Sequence, residues 1–238
     1  MTRHRESLYF GLSWLFQHNH GVSEPSRVFA KRTHSLPWRL VQLAIGLAMF
    51  GFGIGLMLES GLGVPPWDVL HQGLSVRFGL TVGIWSIIVS GFVLLLWIPL
   101  GERIGVGTVA NVIIIGIMID AASAAIPAPG TTLIAWVMLL GGVLLIGVAS
   151  GLYIGAHLGP GPRDGLMTGI AKRGYSIRLT RTVIEIVVLA IGWALGGTFG
   201  WGTVIFALLV GPLVHFVLPR LTLDALTDLD EADDHIAN

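Results

Sequence analysis

The sequence predicts an all-α, polytopic transmembrane helical bundle. Of its 238 residues, 53% are hydrophobic and 12% are charged, about half the charged share of an ordinary soluble domain. Several stretches without Asp, Glu, Lys or Arg approach the ~20 apolar residues that cross a bilayer; three of them are Leu40–Leu58, Val82–Leu100 and Leu133–Gly155. A soluble fold would have to bury such helices with no amphipathic helices around them. We therefore predict the lipid bilayer as the surroundings of this chain.

Six full spans and two short helices follow from the hydropathy pattern and the breaks in it. The short helices, Pro66–Phe78 and Pro162–Arg173, have proline near the first turn, where its missing N–H costs nothing. At ~1.5 Å per residue they reach only ~20 Å and are too short to cross alone. The full spans are predicted at about 38–58, 82–100, 104–124, 133–155, 179–197 and 202–219.

The chain also contains an internal repeat. Leu62–Asp68 recurs as Leu158–Asp164, 96 positions later, and Gly105–Val109 recurs as Gly200–Val204, 95 positions later. An ordered series of matches with one gap indicates duplication, even in a glycine-rich chain. Each copy contains three full spans, an odd number, so the second copy is predicted to be inverted relative to the first. Inverted repeats with broken helices are typical of secondary transporters.

The charge distribution predicts the orientation and the ends of the chain. With six spans and a cytoplasmic N-terminus, 13 of the 14 Lys and Arg lie on the cytoplasmic side; if the short helices cross as well, giving eight passes and parallel repeats, 12 do. The positive-inside rule thus favours a cytoplasmic N-terminus in both folds, and helix length favours the inverted one. Four segments result: a basic tail (1–37), repeat 1 (38–125), repeat 2 (126–220) and an acidic tail (221–238), with both tails cytoplasmic.

The two matched breaks are the first candidate site for a small molecule or ion. A half-helix that starts inside the membrane points unsatisfied N–H groups at whatever occupies the break. Asp68 and Asp164 could cap these helix starts, or they could bind a cation or carry a proton. Trp67 and Arg163 occupy equivalent positions, where the copies differ, although Trp67 could equally anchor the chain at the membrane interface. The residues that form the breaks are Gly63, Pro66, Gly159 and Pro162.

Ionisable residues inside the spans are the second set of candidates, because charge at that depth is costly. Arg181 and Glu185 share one helical face and could pair, either as a structural tie or to handle substrate or protons. Asp120 lies near the end of a span, where it could simply reach water, and its counterpart in the second copy is His215.

Several function classes are disfavoured by composition. The formal net charge is zero, which gives no indication of nucleic acid as a partner. There is no cysteine, and the histidines form no metal cluster in sequence. The runs Gly105–Gly107 and Gly200–Gly202 are followed by no P-loop lysine, and we interpret them as tight turns between spans. The sequence therefore predicts no enzyme, no metal site and no cofactor.

These motifs carry a family resemblance. The segments Leu62–Asp68, Leu158–Met167 and Gly116–Asp120, with the pair Arg181/Glu185, resemble the YczE branch of the YczE/YyaS/YitT-type membrane proteins over about residues 38–220. The resemblance implies a bacterial multi-pass plasma-membrane protein of poorly defined function, and it implies no substrate or catalytic residue.

Transport is the function that the sequence favours. We expect a small-solute secondary transporter or facilitator whose site lies where the two breaks meet. A non-transporting accessory protein is the alternative, and its tails would then matter most. An intramembrane enzyme would require Glu185, Asp120 and His215 to converge in space. The oligomeric state has no signal in the sequence.

Overall fold

The computed structural model describes residues 35–223, and all regular structure within them is helical. Most of the two predicted tails lies outside the described residues. Eight helices form the described part: α1 (Leu36–Ser60), α2 (Pro66–Phe78), α3 (Val82–Leu100), α4 (Val106–Ala125), α5 (Thr132–Gly155), α6 (Pro162–Ala171), α7 (Ile177–Ala194) and α8 (Trp201–Leu221).

Five of the helices, α1, α3, α4, α5 and α8, are long and apolar enough to cross a membrane by length and composition. The remaining predicted span, 179–197, corresponds to α7, which carries Arg178, Arg181 and Glu185 within 18 residues and is more highly charged than the other five. The total of six membrane spans therefore stays a prediction, since it depends on α7 as the sixth. The helix limits agree with the expected ones to within three residues, and α6 ends at Ala171 rather than Arg173.

The core of the bundle lies between α1 and α5. These helices run antiparallel, because Gly46 of α1 faces Tyr153 of α5 while Gly53 faces Ile146. Glycine permits this approach, since a Cβ at Gly46 would lie 2.8 Å from the Tyr153 backbone nitrogen. Around the contact, buried aliphatic side chains such as Leu47 complete the main apolar core.

The helices α4 and α8 flank this central pair. α4 runs parallel to α1 and α8 runs parallel to α5, so α1 and α4 point one way while α5 and α8 point the other. The close approaches that fix these directions are Gly51–Ile115, Gly55–Ala122, Gly147–Leu213 and Gly151–Val217.

The first break, residues 61–65, is held by the start of α8. The Gly202 N–H donates to the Leu62 carbonyl at 2.8 Å, and the Thr203 hydroxyl donates to the Val64 carbonyl at 2.8 Å. Two carbonyls that the irregular backbone leaves without helical partners are thereby satisfied.

The second break, residues 156–161, is held by the start of α4 in the same way. The Gly107 N–H donates to the Leu158 carbonyl at 2.8 Å, and the Thr108 hydroxyl donates to the Pro160 carbonyl, also at 2.8 Å. The runs Gly105–Thr108 and Gly200–Thr203 therefore do more than turn the chain between spans. Each run hydrogen-bonds to the break in the other half of the chain.

The short helices complete the bundle by packing against α3 and α7. α2 packs along α7, where Gly73 and Gly192 bring the two backbones together, and α6 packs along α3, where Gly165 lies against the Trp97 ring. One pair of neighbours differs between the halves. α3 packs along α4, whereas α7 does not pack along α8.

Candidate functional site

The first turns of α2 and α6 meet inside the bundle. The Arg163 guanidinium of α6 lies 3.5 Å from Asp68 Oδ1 of α2 and 5.3 Å from the centroid of the Trp67 ring. We call the group Trp67, Asp68, His71, Arg163 and Asp164 the tip junction. Proline begins each helix immediately after an irregular segment, and the Arg163 side chain links the two positive helix starts.

Asp68 and His71 form a fully buried pair within one turn of α2. The distance from His71 Nδ1 to Asp68 Oδ1 is 3.0 Å, and both side chains have zero exposed surface. Asp68 lies in the first turn of α2, and the polar side-chain contacts of its carboxylate come from His71 and Arg163. A role of Asp68 in capping the start of α2 stays a prediction.

Three polar atoms of the same turn are buried without a hydrogen-bond partner among the described residues: Trp67 Nε1, Asp68 Oδ2 and His71 Nε2. Buried polar atoms are ordinarily paired, and leaving one unpaired costs about 1–3 kcal/mol. Trp67 is only 7% exposed, so the interpretation of this residue as a membrane-interface anchor is wrong. The junction thus has unused hydrogen-bonding capacity.

Asp164 has a different environment from Asp68. The Tyr153 hydroxyl of α5 donates to its Oδ2 at 2.9 Å, and the Thr168 hydroxyl donates to its backbone carbonyl. Asp164 is half-buried, and the side chain of Arg163 is 24% exposed. The junction is therefore closed around the α2 carboxylate and more open around the α6 carboxylate.

The glycines of the breaks adopt backbone conformations that other residues disfavour. Gly63 has φ +112° and Gly159 has φ +126°, both in the region that favours glycine. A Cβ at Gly63 would lie 2.8 Å from the Gly200 nitrogen, and one at Gly159 would lie 3.0 Å from the Thr108 hydroxyl. Pro66 and Pro162 are the first residues of α2 and α6, as predicted.

The other predicted candidates lie on separate elements. Arg181 and Glu185 form an exposed pair on α7 at 3.1 Å, and the Arg181 charge is within electrostatic reach of Tyr153. Asp120 accepts hydrogen bonds from the Thr81 hydroxyl and from the Gly83 N–H, the latter at 2.8 Å. Asp120 thus ties α4 to the start of α3, which accounts for it structurally.

His215 is exposed on α8. In the described part of the chain, no hydrogen bond or ion pair joins it to Asp120 or Glu185, whose own partners are Thr81 with Gly83 and Arg181 respectively. Between residues 35 and 223 there is also no group of three or more metal-ligating side chains.

Two residues of the site were missed by sequence reasoning. His71 could have been found from its position, because residues i and i+3 on a helix face each other and Asp68 precedes it by three. Tyr153 carries no such signal, since its contact with Asp164 spans a break whose path only the fold reveals. With Tyr153 beside it, the tip junction presents two carboxylates, one guanidinium, one imidazole, one indole and one phenol, a set able to bind a charged solute and to exchange a proton.

The fold and the junction define a class: an α-helical membrane protein in which charged side chains at the starts of two short helices meet. Residues 37–219 match a family of unknown function (DUF6198), and the chain belongs to that family. The resemblance to the YczE type is confirmed.

Similar proteins come from two bacteria. An uncharacterized protein of Haemophilus influenzae is 41% identical over 177 residues, which cover 74% of this chain and 81% of that protein. The uncharacterized membrane protein YczE of Bacillus subtilis is 38% identical over 179 residues, 74% and 83% of the two chains. The uncharacterized protein YyaS of the same organism is 31% identical over 183 residues, 74% and 90% of the two chains. No solved structure matches the chain.

Proposed function

We propose that the protein is a small-solute secondary transporter or facilitator of the bacterial inner membrane, with its solute site at the tip junction. The observation that carries this proposal is the contact of Arg163 with Asp68 and Trp67, which joins the two breaks at one place. Irregular backbone within a membrane survives only where it is buried in protein or lines a cavity. Charged side chains inside a bundle are costly unless they serve a function or pair with one another.

An inverted repeat of six spans completes the proposed architecture. The matched hydrogen bonds at the two breaks support it, because Thr203 and Thr108 make equivalent contacts with equivalent carbonyls. The opposite directions of the pairs α1/α4 and α5/α8 support it too. In this arrangement α7 is a span, the short helices re-enter from opposite sides, and both termini are cytoplasmic.

The proposal is non-enzymatic. The polar contacts of Asp120 join α4 to the start of α3, and the Arg181–Glu185 pair lies within α7. The groups that converge are those at the half-helix tips, where a solute can be bound and released without covalent chemistry.

Flux through proteoliposomes tests the proposal. The purified full chain is reconstituted, and uptake of a panel of labelled anions, cations and neutral metabolites is compared with that of empty vesicles. Asp164→Asn keeps the size of a half-buried side chain and removes its charge. We expect it to lower the flux of the transported solute by about tenfold or more, because it weakens the charge-assisted hydrogen bond from Tyr153 that holds the start of α6 in place, and such a bond is worth about 1.5–3 kcal/mol.

Glu102→Gln is the matched control. Glu102 pairs with Lys172 at 2.7 Å beyond the far end of α6, so removing its charge should leave the flux unchanged. If no solute of any charge enters the vesicles above background, or if both variants lower flux equally, a site at the junction has no support, and an accessory role becomes the better explanation.

A further inference from the structure

We propose that the tip junction binds a small oxyanion or carboxylate on Arg163 and that the Asp68–His71 pair takes up one proton with each anion. This inference rests on the proposed function and specifies its substrate class and coupling ion. It starts from the unequal exposure of the two charges that meet there: the Asp68 carboxylate is fully buried, while the Arg163 side chain is 24% exposed.

The unused groups of the junction are mostly donors. A guanidinium presents five N–H donors, and among the described residues Arg163 engages a 3.5 Å contact with Asp68 and lies over the Trp67 ring. The buried Trp67 Nε1 is a further donor without a partner. The backbone N–H groups of Arg163 and Asp164 add to these, since a helix start leaves such groups without helical partners, whereas Pro162 has no N–H and Gly165 donates to the Gly161 carbonyl. A cluster of donors at a positive helix end suits an anion.

Asp68 then acts as an internal anion that occupies Arg163 when no solute is bound. A solute anion that takes over the guanidinium leaves the buried carboxylate without its cation. An unpaired buried charge is strongly unfavourable, so the carboxylate and the imidazole bonded to it accept a proton. Asp68 Oδ2 and His71 Nε2, both buried and unpartnered, are the atoms that can hold this proton.

The charges around Asp68 support this assignment. Arg163 and His71 are the charged or titratable groups that act on it. Among the neighbours of α2, α3 has no ionisable residue, and the charged residues of α7 are Arg178, Arg181 and Glu185. On the α6 side, Asp164 is engaged by Tyr153. Within residues 35–223, Asp68 is the only carboxylate that is paired with His71.

Equilibrium binding and flux test the coupling with defined probes. The purified full chain is titrated with labelled acetate, lactate, inorganic phosphate and inorganic sulfate across about pH 5.5 to 8, the range in which such pairs exchange protons. We expect one of these anions to bind, with affinity that strengthens about tenfold per unit fall in pH if one proton accompanies it. Acetate and lactate test for a carboxylate ligand, and phosphate and sulfate test for an inorganic oxyanion.

Three variants separate the roles of the residues. Arg163→Gln should weaken anion binding at least about tenfold at every pH, and Arg163→Lys should restore part of it. Asp68→Asn should still bind the anion but lose the pH dependence, and it should carry anions into vesicles without acidifying an enclosed dye. Lys172→Gln at the far end of α6 is the control and should behave as the wild type. Thermal unfolding of each variant verifies the fold.

The outcomes distinguish this inference from the proposed function. No anion binding, equal binding in Arg163→Gln, or an unchanged pH dependence in Asp68→Asn overturns the inference. If a neutral or cationic solute is carried instead, the inference fails while the transporter proposal stands. If vesicles take up nothing at all, both fail.

Discussion

Asp68 and Asp164 occupy equivalent positions in the predicted repeat, yet their surroundings differ. The residue before each aspartate is the source of the difference: Trp67 fills space beside Asp68, whereas Arg163 reaches across to the other helix. The α2 side of the junction therefore supplies a buried carboxylate, and the α6 side supplies the cation that neutralises it. Divergence at a single position thus gives two similar segments complementary roles.

Gly63 provides a test at the scale of one residue. Gly63→Ala should lower the free energy of unfolding by about 1–2 kcal/mol for the left-handed backbone and by a further 1–3 kcal/mol for crowding, because its Cβ would press on the Gly200 backbone. The measurement is thermal unfolding of the detergent-solubilised protein.

Gly61 offers the matched control for this substitution. It also has a positive φ, +67°, but no atom lies within 4 Å of the place its Cβ would take. Gly61→Ala should therefore show the backbone cost alone. Equal losses in the two variants would mean that the break is not held tightly against the start of α8.

The sequence predicted most residues of the site but not their partners. The prolines, the glycines and the two aspartates stand out because they interrupt an apolar pattern. His71 and Tyr153 do not, since a lone histidine or tyrosine in an apolar segment is usually part of the packing. The contact of Arg163 with Asp68 bridges residues 95 positions apart, and no local rule of spacing can reveal such a pair.

Helix limits were predictable because hydropathy and helix breakers act locally. α2 begins and ends at the predicted residues, Pro66 and Phe78, and α3 does so at Val82 and Leu100. α7 departs most from the expected pattern, because its three charged residues, Arg178, Arg181 and Glu185, make it less apolar than the other long helices. Which helices pack against each other was harder to predict from the sequence, since these contacts depend on small residues whose facing partners lie far away in the chain.

The contact between α2 and α7 gives a test at the scale of the element. Gly192→Ala should destabilise the protein by about 3 kcal/mol, the upper end for overpacking, because its Cβ would lie 2.4 Å from the Leu70 nitrogen. Backbone on both sides leaves no flexible side chain to move aside. A fall in the unfolding temperature of the purified protein is the expected readout.

Gly91→Ala on α3 is the control for that element. Nothing lies within 4 Å of its would-be Cβ, and alanine is the better helix former by about 1 kcal/mol. Its stability should be unchanged or slightly raised. If Gly192→Ala were equally harmless, α2 would not be packed against α7 as described.

The direction of the helices can be tested at the scale of the whole molecule. The chain has no cysteine, so a single introduced one is the only thiol available to a membrane-impermeant maleimide. In the proposed inverted fold, Ala128→Cys between α4 and α5 should be labelled from outside the cell, whereas Arg103→Cys between α3 and α4 should react only after permeabilisation. Both positions are exposed. The parallel eight-pass fold requires the reverse result.

The unequal packing of the two halves has a mechanical consequence. α3 lies along α4, but α7 stands apart from α8, and on the proposed repeat these are equivalent pairs. The chain would then contain a closed form of this helix pair in one half, α3 with α4, and an open form in the other half, α7 with α8. Exchanging the two forms between the halves would transfer the entrance from one face of the membrane to the other. The stationary partners in such a cycle would be α1 and α5, whose glycine-lined contact leaves the least room to shift.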